Sequence, residues 1–226
     1  MEYLKRSPPL FPAVGMALGL IACVFGLFFS AVFPALPAAA LATALLAAFS
    51  GGLHLDGLAD SADALFSATH DREKALSIMK DSRIGAHGAM ALSLTLTVKF
   101  ACLASLPPWV LPFVLFAVPV AGRAAMLFPM LLLPYVRPGG LGALFVVRDV
   151  KTVLTQAGIW IFAASAVACG LFGAFVCIGF CLGAALAWSR YAKKRLGGAT
   201  GDIYGAACEI AETAFCLAAA AVYRGH

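Results

Sequence analysis

Uncharged apolar stretches recur along the whole chain, and most of the charge is collected in the short segments between them. A helix needs about 20 apolar residues to cross a bilayer. The first stretch runs from Leu10 to Val32. Pro34 and Pro37 then predict a turn, and Ala38–Phe49 an alanine-rich helix running into Gly51-Gly52. A third helix is expected over Ala86–Leu106, ended by Pro107-Pro108. A fourth is expected over Trp109–Tyr135, interrupted by Pro112, Pro119 and Pro129. No charge falls among the 36 residues from Val153 to Trp188. As one helix they would be about 54 Å long, against a hydrocarbon core of ~30 Å, so they read as two short spans turning near Gly170–Gly173. Ile203–Val222 is a seventh apolar segment and contains Glu209 and Glu212. The pattern predicts an all-α, polytopic membrane helix bundle of about 6–7 transmembrane helices. No Pro/Ser-rich linker divides it, so residues 1–226 read as a single integral membrane domain.

Composition agrees. Hydrophobic residues make up 62% and charged residues 12% of the chain, with a mean hydropathy of +0.95. Soluble domains are nearer half apolar and about a quarter charged. The first stretch exceeds the 7–15 apolar residues of a signal peptide, so it reads as an uncleaved helix. With the N-terminus inside, Lys5, Arg6 and the loops 50–85, 136–152 and 189–202 hold 13 of the 16 basic residues, and the turns on the other side hold none. Positive charge retained on the cytoplasmic side produces this asymmetry; Arg224 alone would lie opposite. The net charge of +5 is therefore topological. The basic residues form no single cluster and lack interleaved aromatics, which excludes a nucleic-acid binder. All seven cysteines lie in apolar stretches without a CxxC pair, as small buried thiols do.

Three polar stretches stand out. In Gly51–Asp63, Asp56, Asp60 and Asp63 are spaced four and three apart, within about 60° of one another on a helix. Like charges on one face repel, and a hard cation such as Mg²⁺ would offset them. At a membrane edge such acids mark function. In Asp81–Gly88, Asp81, Ser82, Arg83, Gly85 and Gly88 lie at a helix start, where free N–H groups suit a phosphate. In Gly197–Gly205, the turn of Gly197, Gly198, Thr200 and Gly201 is a second candidate phosphate cradle. It leads into Asp202, Glu209 and Glu212 at 0, +7 and +10, another one-face stripe. Arg123 and Lys99 sit mid-span and should face the bundle interior. Arg123 is a candidate phosphate clamp or aspartate partner, and Lys99 a candidate partner of Glu209 or Glu212. His54 is a candidate base or ligand.

Through GGLHLDGLADSAD (51–63), DSRIGAHG (81–88) and GGATGDIYGAACE (197–209), the chain resembles the cobalamin synthase, or adenosylcobinamide-GDP ribazoletransferase, family. The likeness covers nearly the whole chain in order and hydropathy. One departure is Ala64, where the family pattern leads one to expect glycine. The resemblance implies a Mg²⁺-dependent transferase of the bacterial cytoplasmic membrane with its site facing the cytoplasm. An α-ribazole or its 5′-phosphate would attack the phosphoryl group of GDP-activated cobinamide and release GMP. The expected catalytic residues are Asp60, Asp63, His54 and Arg123. Asp56, Asp60, Asp63, Asp81, Asp202 and Glu209 are the expected metal ligands, and the two glycine-bearing turns with Asp81, Ser82 and Arg83 the substrate contacts. Two other readings are a CDP-alcohol phosphotransferase-like enzyme, whose D-x₂-D-G-x₂-A-R run is absent, and a secondary transporter. The sequence leaves open whether copies assemble into a homo-oligomer.

Overall fold

The structure, a computed structural model, describes residues 7–69, 71–137, 140–145 and 149–225. Lys5, Arg6 and Arg148, counted in the charge asymmetry, lie outside the described residues. Nine α-helices are described: α1 (Phe11–Val32), α2 (Ala35–Ala48), α3 (Leu53–Leu65), α4 (Arg72–Ile78), α5 (Ala86–Ala104), α6 (Leu111–Ala125), α7 (Leu127–Leu132), α8 (Val150–Leu196) and α9 (Gly201–Val222). Among the described residues the only β pairing is a single parallel bridge between Tyr135 and Ala199. Five helical segments are long and apolar enough to cross a membrane, or six if the bent pair α2–α3 is one span.

The breaks have local causes. α2 and α3 meet at 82° across Gly51 and Gly52, whose φ of 58° and 83° lie in the left-handed region that glycine adopts without a Cβ clash. α6 gives way to α7 at Met126, because Pro129 has no N–H to offer the carbonyl of Ala125. α8 is interrupted at Gly170, with φ 69° and ψ 177°, a conformation open essentially to glycine alone. The chain reverses there. The Phe162 and Phe175 rings on the two legs stand 5.7 Å apart, and the thiols of Cys169 and Cys177 are 3.7 Å apart. The expected pair of short spans is thus one helical hairpin, turning at the first residue of the predicted range.

Packing relies on small residues. Gly15, Gly19 and Gly26 on α1 lie against the α6 backbone, where a methyl group would collide with Pro119, Phe116 and Pro112. Ala206, Ala207, Ala211, Ala218 and Ala219 of α9 are fully buried at the centre of the bundle. Helices in lipid gain nothing from hiding apolar surface from other apolar surface, so close backbone approach carries their association. The periphery, by contrast, is apolar and exposed: Leu20, Val24, Phe28, Ile159, Leu171 and Phe172 among others. This inverted pattern suits a bilayer and would be an aggregation hazard in water.

Candidate active site

α3 and α9 cross with their backbones nearly touching. A methyl group on Gly57 would stand 2.9 Å from the carbonyl oxygen of Asp202, and one on Gly205 would stand 3.2 Å from the Cα of His54. These two glycines, unassigned by sequence reasoning, set where the helices meet. The crossing carries the second turn of α3 past the N-terminus of α9, so Asp60 lies within electrostatic range of Asp56, Asp63 and Asp202. Arg137, which follows α7, is in the same group. Its Nη1 donates to Asp202 Oδ2 at 2.8 Å. Sequence reasoning counted Arg137 only toward topology, because its partner is 65 residues away. The carboxylates of Asp56 and Asp60 have no hydrogen-bond partner among the described residues.

Asp63 takes a different position from its two neighbours on α3. Its Oδ2 accepts from the backbone N–H of Gly85 at 2.7 Å, and its Oδ1 from that of Gly88 at 2.8 Å. The carboxylate thus occupies the N-terminus of α5 and satisfies two of its orphan donors. A methyl group on either glycine would collide with that carboxylate. The glycines expected to cradle a phosphate therefore receive a carboxylate of the chain itself.

Asp81 and Arg83 pair with each other, Nε to Oδ1 at 3.0 Å and Nη2 to Oδ2 at 2.6 Å. The Arg83 side chain is 86% exposed, so the pair adds little stability. The guanidinium holds the Asp81 carboxyl down at about 2. That contribution is present above the ordinary carboxylate range and is lost only as pH falls through about 2, so it does not vary near neutrality. Asp81, Arg83, Gly85 and His87 line an open groove of about 490 Å³ that Asp63 also borders; Ser82 lies beside it, exposed.

The turn from 197 to 201 is also largely occupied from within. Gly197 ends α8 with φ 71°. Gly198 leaves no room for a side chain beside Pro134 and Val136. There the N–H of Val136 donates to the carbonyl of Ala199, and that of Ala199 to the carbonyl of Pro134, both at 2.9 Å. Thr200, fully buried, caps α9 by accepting from the N–H of Ile203 at 3.4 Å. Gly201 alone of the expected substrate contacts in this turn has open space around it without a left-handed φ.

The acids of α9 divide between two depths. Glu209 and Glu212 lie about 10–15 Å further along the helix than Asp202, at 1.5 Å per residue. Lys99 Nζ donates to Glu209 at 2.6 Å and to Glu212 at 2.8 Å, and Arg123 Nη1 donates to Glu212. All four side chains are buried, and their formal charges sum to zero. Glu209 is thus held by Lys99 rather than by the aspartates, and Arg123 by Glu212 rather than at the aspartate group. His54, near the start of α3, is within electrostatic range of Arg123, Glu212 and Lys99.

Among the described residues no three His, Cys, Asp or Glu side chains converge closely enough to cage a metal ion. Asp63, Asp81, Asp202 and Glu209 each have a partner in the protein. The oxygen donors left over, Asp56 and Asp60, fit the way Mg²⁺ is usually held, by one or two carboxylates with water and substrate phosphate completing its shell.

Comparison with known proteins adds the lineage. A family model described as cobalamin-5-phosphate synthase matches residues 1–220. An adenosylcobinamide-GDP ribazoletransferase of Pseudomonas fluorescens is 41% identical over 222 residues, 97% of this chain and 89% of its own. One from Pseudomonas savastanoi pv. phaseolicola is 40% identical over 220 residues, 96% and 88% of the two chains. One from Pseudomonas putida is 40% identical over 213 residues, 94% and 86%. No solved structure matches. With a family match across nearly its full length, and a site built from the three stretches that carried the resemblance, this chain belongs to the cobalamin-5-phosphate synthase family.

Proposed function

We propose that the chain is an adenosylcobinamide-GDP ribazoletransferase of the bacterial cytoplasmic membrane. It joins α-ribazole, or its 5′-phosphate, to GDP-activated cobinamide and releases GMP. The observation that carries this reading is the 40–41% identity to transferases of that name over nearly the whole chain. The site supports it, because a group of carboxylates and a guanidinium gathers at one end of the bundle. The incoming ribose hydroxyl forms a bond to the phosphorus nearest cobinamide, the bond from that phosphorus to the bridging oxygen breaks, and GMP leaves with the oxygen. The hydroxyl proton passes to a carboxylate of the site. Asp56 and Asp60 would hold Mg²⁺, which when bound neutralises charge developing on the phosphate oxygens. Gly201 leaves the first turn of α9 open, where backbone N–H groups attract an anion.

Detergent-purified protein supplied with adenosylcobinamide-GDP, α-ribazole and Mg²⁺ should release GMP and form adenosylcobalamin. Chelating Mg²⁺ should stop both and re-addition should restore them. Because detergent abolishes any transmembrane gradient, turnover there also rules against a transporter. Folded protein that releases no GMP would defeat the proposal.

A further inference from the structure

A substrate activated as a nucleoside diphosphate ester carries a diphosphate that the protein must meet with positive charge or N–H donors. The backbone amides that the sequence offered for this are largely committed. Asp63 holds those of Gly85 and Gly88, and Ala199 is engaged with Pro134. Three other arginines are committed too. Arg83 is paired with Asp81, Arg195 donates to the carbonyls of Ser67 and Thr69, and Arg123 is buried against Glu212.

Arg137 differs in three respects. It lies in the aspartate group itself, within electrostatic range of Asp60 and bonded to Asp202. Its side chain is 26% exposed, which leaves it reachable from solvent. Of the five N–H donors of a guanidinium, only one is used among the described residues, at Nη1. The backbone that presents it is pinned, since Pro134 and Val136 are hydrogen-bonded to Ala199. Just beyond, Gly140 and Gly142 pack so tightly on the Tyr135 ring that neither has room for a side chain. A planar fork with one nitrogen held by a carboxylate, on a side chain still partly exposed, is suited to bidentate phosphate binding.

Resting on the functional reading above, we infer that Arg137 binds the diphosphate of the GDP-activated substrate, with Asp202 and the Pro134–Val136 pairing to Ala199 fixing its position. On this view Gly198 serves the site indirectly, because a side chain there would push the Arg137 segment away.

The test uses the full chain in detergent and GDP as the probe, with wild type, Arg137→Lys and Arg137→Ala compared. Arg137→Lys keeps a charge for Asp202 and should fold as wild type does. Loss of a hydrogen bond between charged groups weakens binding by about 10-fold or more, so both variants should bind GDP at least ~10-fold more weakly. Both should show a matching loss of kcat/KM for adenosylcobinamide-GDP while the KM for α-ribazole stays near wild type, and Arg137→Lys should also keep the wild-type melting temperature. Wild-type GDP affinity in Arg137→Lys would overturn the inference. So would equal losses toward both substrates accompanied by a lowered melting temperature, the mark of a purely structural partner for Asp202. So would a wild-type protein that binds no GDP. If wild type binds GDP through Arg137 yet releases no GMP from the full substrates, the functional reading fails and the assignment of Arg137 stands.

Discussion

Asp60 and Asp63 are neighbours on one helix and answer to different constraints. Asp63 is bonded to two backbone amides of α5, whereas Asp60 and Asp56 have no such partner among the described residues. Their asparagine variants should therefore part company. Asp60→Asn and Asp56→Asn should retain the wild-type melting temperature and lose GMP release by about 10²-fold, the scale of removing one strong electrostatic stabiliser. Asp63→Asn turns an NH₂ toward one of the two amides and gives up charge-assisted bonds worth about 1.5–3 kcal/mol each. It should lose activity and melting temperature together. Activity against Mg²⁺ concentration, beside thermal denaturation in detergent, separates the two cases. The aspartates were legible from sequence because charge is conspicuous in an apolar chain. Their division of labour was not, since only the fold shows that α5 begins beside Asp63. Arg137 was hidden for a related reason: a basic residue in a loop looks topological until its carboxylate partner arrives from another helix.

At the scale of elements, the positions of the breaks were readable and their geometry was not. Prolines and paired glycines marked where spans would end, and the 36-residue uncharged run was too long for one crossing. Nothing in that run chose Gly170 over Gly173; the backbone conformation at Gly170 does. Gly170→Ala should strain the hairpin by about 1–3 kcal/mol and lower the melting temperature, whereas Gly179→Ala on the second leg, with open space around it, should not. The two glycine-bearing turns, expected from sequence to cradle phosphate, are shaped by packing that periodicity could not supply. Gly85, Gly88 and Gly198 make room for other parts of the chain. Gly198→Ala should thus destabilise the fold, and Gly201→Ala should leave it intact. The acids of α9, read from their spacing as one face of the helix, are buried at Glu209 and Glu212 and half-buried at Asp202. They are shared between a shallow group at Asp202 and the deep pairs made by Glu209 and Glu212.

For the molecule as a whole, the orientation we propose puts the aspartate end of the bundle at the cytoplasmic face, on the strength of the charge asymmetry in the sequence. Cysteines placed at the exposed positions Ala68 and Lys194 should resist an impermeant thiol reagent added outside intact cells and react after permeabilisation; labelling from outside would reverse the orientation. The buried quartet bears on how such a molecule is made. Glu209 and Glu212 sit near the middle of α9, and an ionised residue at the centre of a lone helix raises its insertion cost by about 2.5–3.5 kcal/mol. Their counter-charges come from Lys99 on α5 and Arg123 on α6, both of which leave the ribosome earlier. The order of synthesis thus delivers the cations to the bilayer before the acids that need them, and the last helix can enter as a ligand for partners already in place. Residues 201–222 presented alone to the translocon should insert poorly, and better once Glu209 and Glu212 are glutamine. Within the full chain, Lys99→Met with Arg123→Met should leave α9 poorly inserted and exposed to proteolysis, although neither substitution lies within it.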